Sequence, residues 1–199
     1  MTDQHLIVFV KNPIPGTVKT RIARTVGNDR AVEVYQHLLR HTQEIVTQLP
    51  QHRVVYYGDF INPDDGWNDY SKHLQTGNDL GQRMLNAFRE QFSSGASRAV
   101  IIGSDCLTIT PDHIRRAFTA LDQTDIVIGP ATDGGYYLLG MKQPHDFLFT
   151  DMPWSQPQLR QRTELAIGQH NLTFEQLDEL TDIDEWADYE RAIAATLLP

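Results

Sequence analysis

Apolar positions along the chain fall into two recurring patterns. Continuous runs rich in Val, Ile, Phe and Tyr, at residues 6–10, 53–57 and 98–102, suit strands buried on both faces, as in parallel sheets. Between them apolar residues recur at three- and four-residue steps. Val32, Tyr35, Leu38, Leu39, Ile45, Val46 and Leu49 mark one long helix stopped by Pro50, with Asn28 as its candidate cap. Leu80, Met84, Leu85, Phe88 and Phe92 mark a second helix over residues 79–92. Residues 60–70, with Pro63 and Gly66, read as a polar loop. Thr110 and Pro111 supply a cap and a first-turn proline for a helix running to residue 121. Further strands are expected at 125–128 and 136–141. A Pro-rich crossing, a helix near 158–168, a short strand near 172–174 and a final helix over about 184–197 follow. This alternation predicts an α/β sandwich around a mostly parallel sheet.

A chain of 199 residues with 40% hydrophobic content is sized for one domain over residues 1–199. Its formal charge of -9 and pI near 5.2 argue against nucleic acid and anionic membranes as partners, since both demand broad basic surfaces. Small phosphorylated ligands stay open. The single cysteine, Cys106, excludes an internal disulfide and fits a reducing compartment. The start of the chain lacks a basic region and the run at 6–10 is too short for a signal peptide, so a cytoplasmic protein is expected. Ser104–Asp105–Cys106 has no neighbouring base for a nucleophilic triad, and Trp67, Trp154 and Trp186 read as packing or loop anchors.

Charge is not spread evenly. From His5 to Asn28 there is no Asp or Glu, while Lys11, Lys19, Arg21 and Arg24 all fall there, around a Pro/Gly turn that follows the first strand. Such an island in an acidic chain points to a specific anion site. Lys19 and Arg21 are candidate phosphate ligands, assisted by backbone N–H groups of the turn. With only Gly16 in the turn, neither a Walker A loop nor a Gly-x-Gly-x-x-Gly fingerprint is present. Asp105, just past a buried strand, offers oxygen ligation to Mg²⁺ or Mn²⁺. Acids at the start of the last helix complement its dipole, and of these Asp184 is the candidate second metal ligand, with Asp182 in reserve. Asp133–Gly134–Gly135–Tyr136 lets backbone approach a ligand, while Asp133 and Tyr136 or Tyr137 recognise hydroxyls. Residues 75–83, with their amides, glycines and Arg83, suit a base or sugar edge. Ligands of open parallel sheets bind beyond the strands' carboxyl ends, so these loops are expected to converge.

Five segments taken together, residues 9–21, 78–84, 103–106, 129–140 and 182–184, give the chain a near full-length resemblance. It resembles the radical-SAM/selenodomain-associated transferase family of the GT-A, or nucleotide-diphospho-sugar transferase, superfamily. Its first loop is also similar to that of phospholactate guanylyltransferases. The resemblance implies a Rossmann-like three-layer α/β/α sandwich that binds a nucleotide or nucleotide-sugar and a small acceptor. It implies a divalent metal near Asp105 with Asp184 as second ligand. It also implies phosphate contacts from the loop holding Lys11, Pro13, Gly16, Lys19 and Arg21, with Ser104 nearby, and base contacts around Gln75, Gly77, Asp79 and Gly81. In the implied reaction Lys19 and Arg21 stabilise the leaving diphosphate, and Asp133, Gly134, Gly135 and Tyr136 meet the sugar or acceptor. Glycosyl transfer from an NDP-sugar leads. Nucleotidyl transfer with release of pyrophosphate and a noncatalytic nucleotide-binding module are the alternatives. Ser104 before Asp105 and Leu107 after Cys106 depart from the Asp-x-Asp of many glycosyltransferases.

Overall fold

The computed structural model describes residues 3–196. Its elements run β1 (Gln4–Val10), α1 (Thr20–Val26), α2 (Asn28–Thr47), β2 (His52–Tyr57), β3 (Ser71–Leu74), α3 (Leu80–Ser93), β4 (Arg98–Ile102), α4 (Pro111–Ala120), β5 (Ile126–Pro130), β6 (Tyr136–Met141), α5 (Leu159–Gln169), β7 (Phe174–Gln176) and α6 (Trp186–Thr196). The strands form one sheet in the order β3-β2-β1-β4-β6-β5-β7. All neighbours pair parallel except β6, which is antiparallel to both β4 and β5.

Period-two alternation in β1 divides the core. Leu6, Val8 and Val10 join a cluster with Ile45 and Val46 of α2 and Ile114, Ala117 and Phe118 of α4. Ile7 belongs to the opposite cluster, with Met84, Leu85 and Phe88 of α3 and Ile167 of α5. Helices thus cover both faces, giving the expected three-layer, Rossmann-like α/β/α sandwich. Burying a side chain such as Phe88, which is 0% exposed, contributes roughly 2–3 kcal/mol. A third cluster ties α1 and α2 to the start of α6 through Val18, Ile22, Val34, Tyr35, Leu38 and Ile183. Among the described residues no helix is long and apolar enough to cross a membrane.

Three expectations are corrected. Asn28 is the first residue of α2 and not its cap; Gly27 takes the cap position at φ 85°, a conformation a side chain resists. The short late strand begins two residues after the expected start and covers Phe174–Gln176, with all three residues exposed. β3 was not expected at all. It is a four-residue polar edge strand, Ser-Lys-His-Leu, with no apolar alternation to announce it. Lys72 fixes it to the preceding loop through Asp65 Oδ1 at 2.8 Å and the Asn62 carbonyl at 2.7 Å. The far end of the final expected helix, at residue 197, lies outside the described residues.

Candidate functional site

β1 delivers the basic loop to the carboxyl edge of the sheet, and the loop is folded by side chains rather than by glycine alone. Asn12 is buried and donates through Nδ2 to Asp59 Oδ1 and to the Phe60 carbonyl, both at 2.8 Å. The Lys11 backbone N–H donates to the Tyr35 hydroxyl at 2.9 Å, and that hydroxyl shares a 3.1 Å hydrogen bond with Ser104 Oγ. Tyr35, reaching from α2, therefore ties the basic loop to the tip of β4. Lys19 ends the loop in the left-handed conformation, φ 47° and ψ 46°, immediately before α1.

The last acidic segment is carried to the same place by backbone pairing. Leu180 N–H donates to the Pro130 carbonyl and Thr132 N–H to the Leu180 carbonyl, both at 3.0 Å, and Ile183 N–H donates to the Asp105 carbonyl at 2.8 Å. Asp182 and Asp184 flank that last contact, so they are set beside Asp105. Lys19 lies between them. Its Nζ is 2.7 Å from Asp105 Oδ1 and donates to the Ile183 carbonyl at 2.6 Å, with a side chain only 7% exposed. Arg21 stands outside this group, 3.4 Å from Asp184 Oδ2 and 60% exposed.

A cleft of about 680 Å³ opens over these groups. Lys11, Lys19, Arg21, Gln75, Ser104, Asp105, Asp133, Gly135, Tyr136, Tyr137, Asp182 and Asp184 all line it, so the sequence-derived loops meet as expected. Pro13, Gly16, Gly77, Asp79, Gly81 and Gly134 are not among its lining residues. Asp79 caps α3, accepting from Gln82 N–H at 2.8 Å. Gly81 leaves room for the Trp154 ring, since a Cβ there would lie 2.4 Å from Nε1. Gln75 lines the cleft, but its Nε2 already donates to the Val10 and Tyr56 carbonyls. Asp133 is exposed and accepts from Gly135 N–H at 2.9 Å, which closes the β5–β6 turn.

Four carboxylates, Asp105, Asp133, Asp182 and Asp184, line this cleft with three cations, Lys11, Lys19 and Arg21, so acids outnumber cations by one. Burial, then the nearby Asp105, pushes the Asp182 carboxyl up to about 7. Asp184 is raised mainly by burial, with Lys19 and Arg21 opposing Asp105. A raised carboxyl binds its proton more tightly folded than unfolded, so stability is lost as pH climbs from about 4 through about 7. Asp182→Asn is accordingly expected to stabilise the protein by on the order of 2 kcal/mol at pH 8 and to change little at pH 4. Urea melts at the two pH values check this; an equal effect at both would contradict it.

The donor set fits a divalent ion in kind: hard oxygen ligands gathered where acids outnumber cations. Among the described residues, however, no three His, Cys, Asp or Glu side chains already stand where one ion could be held, and the ammonium of Lys19 occupies the side of Asp105 that faces the Ile183 carbonyl. His37 and His41, four residues apart on α2, are committed to the Tyr189 hydroxyl and the Ile109 carbonyl. Cys106 is buried and its thiol is pushed up by burial, which removes it as a nucleophile.

Sequence reasoning missed Tyr35, Asn12 with Asp59, and Trp154. Tyr35 sat in the apolar stripe of α2, where a buried hydroxyl looks like any core aromatic. Trp154 lies in the Pro-rich crossing and lines the cleft beside Tyr136, its ring centroid 6.3 Å away and edge-on. Nothing in its local sequence marks that placement. Asp182, held in reserve, proves the more deeply enclosed of the two late acids.

Comparisons with known proteins agree with this architecture. A family model described as an uncharacterized protein conserved in bacteria (DUF2064) matches residues 41–156. A Desulfovibrio desulfuricans G20 protein, provisionally named a nucleotide-diphospho-sugar transferase, superposes with a TM-score of 0.88 at 30% identity, over 93% of this chain and 84% of its own. A CMP:2-keto-3-deoxy-manno-octonic acid synthetase complexed with CTP gives a TM-score of 0.61 at 11% identity, over 98% of each chain. Rv0371C of Mycobacterium tuberculosis H37Rv, solved with manganese, gives 0.57 at 13%, over 97% of this chain and 98% of its own. These last two likenesses establish shared fold. No curated protein matches the sequence.

Proposed function

The chain belongs to the DUF2064 family, and on that premise we propose that it is a metal-dependent transferase that uses a nucleotide-diphosphate donor, moving a sugar from an NDP-sugar to a small acceptor. One observation carries the reading: the basic loop after β1, the Asp105 tip of β4, the Asp133 turn and the Asp182–Asp184 segment line one cleft at the carboxyl edge of the sheet. The 30% identical Desulfovibrio protein, named for nucleotide-diphospho-sugar transfer, supports the donor class.

Lys11, exposed just after β1, and Arg21, 3.4 Å from Asp184 and largely exposed, would meet the two phosphates, Arg21 through its planar fork. Asp105 with Asp184 or Asp182 would hold Mg²⁺ or Mn²⁺, which would supply charge neutralisation for the departing diphosphate. Asp133, in the β5–β6 turn, orients the sugar or the acceptor hydroxyl and is the group available to take its proton. Tyr136 and Trp154 keep that end of the cleft apolar, limiting water where hydrolysis would compete. The manganese-bound Rv0371C structure supports a divalent ion on this fold. A sugar-nucleotide panel with Mn²⁺ is expected to release free NDP in the presence of the correct acceptor.

A second reading, nucleotidyl transfer from an NTP to a sugar phosphate or phospho-acid, is favoured by the lone carboxylate at the β4 tip. Asp105 has Ser104 and Cys106 as neighbours, and its partner carboxylates come from the segment before α6. Pyrophosphate instead of NDP would select that reading. Tight nucleotide binding with neither product across both panels would contradict both.

A further inference from the structure

Lys19 is the most tightly engaged cation of the site, and it is engaged with the wrong partner for a simple phosphate ligand. Its ammonium has three N–H donors; one meets Asp105 Oδ1 at 2.7 Å and one the Ile183 carbonyl at 2.6 Å. The side chain is 7% exposed, whereas Asp105 is 48% exposed. The backbone is held at φ 47°, a left-handed conformation that a residue with a Cβ adopts at a cost and only when its surroundings enforce it. Lys19 also sits among Asp105, Asp182 and Asp184, lowering the carboxyl pKa of both late acids against the burial that raises them. Lys19 thus supplies, among these acids, positive charge of the kind a metal ion would bring.

We infer that Lys19 is the resident counter-ion of Asp105, and that the incoming phosphate draws the ammonium away, so that metal loading at Asp105 waits on the nucleotide. The inference rests on the metal-bearing reading above and concerns its order of assembly. Two cations on one carboxylate repel, so a divalent ion arriving alone must displace an ammonium that has two short hydrogen bonds and, apart from the late carboxylates the ion would itself take, no other anion to go to. A diphosphate offers the ammonium that other anion. Once Lys19 turns to phosphate, Asp105, Asp182 and Asp184 are left without it and their negative charge is open to the metal. The site thereby avoids holding an ion that has no substrate to act on.

The experiment is Mn²⁺ binding in the absence of any nucleotide, followed by calorimetry and by the EPR signal of free Mn²⁺. Lys19→Met is expected to bind Mn²⁺ about tenfold more tightly than the unaltered protein, because the competing ammonium is gone. Lys19→Arg, which keeps the charge, is expected to stay near the unaltered value. Lys19→Gln is the alternative if the Met variant does not fold, since it retains a donor for the Ile183 carbonyl. Asp105→Asn added to Lys19→Met must abolish the gain, which locates the ion. Equal or weaker Mn²⁺ binding by the Lys19→Met and Lys19→Gln proteins overturns the inference while leaving the metal-dependent reading intact. No Mn²⁺ binding by any of these proteins, even with UDP, GDP or CDP added, removes the metal-dependent reading itself.

Discussion

Asp105→Asn is expected to lower turnover about a hundredfold to a thousandfold while leaving the fold in place, because it removes the carboxylate on which the charge arrangement of the cleft turns. Asp105 stands at the tip of β4 and is half exposed, so the change creates no cavity. The backbone bond from Ile183 N–H to the carbonyl of residue 105 is unaffected. Lys19 loses its ion-pair partner but keeps the Ile183 carbonyl and the field of Asp182 and Asp184. Stability should therefore fall by no more than about 1–2 kcal/mol, far less than the loss of catalysis implies. Turnover with the best donor of the panel, read beside a thermal melt, separates the two effects. A variant that keeps at least a third of its activity would show that Asp105 has no part in charge neutralisation.

The second large effect is structural and lies in the β5–β6 turn. Gly134→Ala is expected to destabilise the protein by about 2–4 kcal/mol and to abolish activity at the same time. Gly134 is at φ 89°, and a Cβ there would fall 2.1 Å from the Pro157 carbonyl oxygen. Its own carbonyl accepts from Arg160 N–H at 2.9 Å, docking the β5–β6 turn against the start of α5. The side chain cannot fit unless the segment carrying Trp154, Ser155, Gln156 and Pro157, all of which line the cleft, moves away. Gly135, one residue on, has a milder neighbour, Asp133 Oδ1 at 3.2 Å from a Cβ. Gly135→Ala is thus the control, expected to keep most of the stability. Denaturant melts that rank the two changes equally would contradict this account of the turn.

These contrasts explain how much of the molecule the sequence disclosed. Buried strands and amphipathic helices were legible because burial on two faces or on one stripe leaves a period in the chain; β4 was placed at its observed ends, residues 98–102. β3 was invisible because an edge strand needs no apolar period. In the site, charges stood out by contrast with an acidic chain, and Lys11, Lys19, Arg21, Asp105, Asp133 and Asp184 do line one cleft. Their pairing did not stand out. That Lys19 would close on Asp105 depends on the Ile183–Asp105 backbone bond, a contact between residues 78 positions apart that leaves no local trace. Gly77, Asp79 and Gly81 are polar or small residues near the site that do not line the cleft; Asp79 caps α3 and Gly81 packs against Trp154.

The central claim is that one cleft holds metal, diphosphate and acceptor between the β1 loop and the Asp133 turn. Diffraction from crystals soaked with Mn²⁺ and UDP, GDP or CDP, with data collected at the manganese edge, tests it most directly. The account predicts a manganese peak at Asp105 shared with Asp182 or Asp184, with the diphosphate against Lys11 and Arg21 and the ammonium of Lys19 turned from Asp105 toward phosphate. A nucleotide bound away from the carboxyl edge of β1 and β4, or manganese found only at other acidic residues, would contradict it.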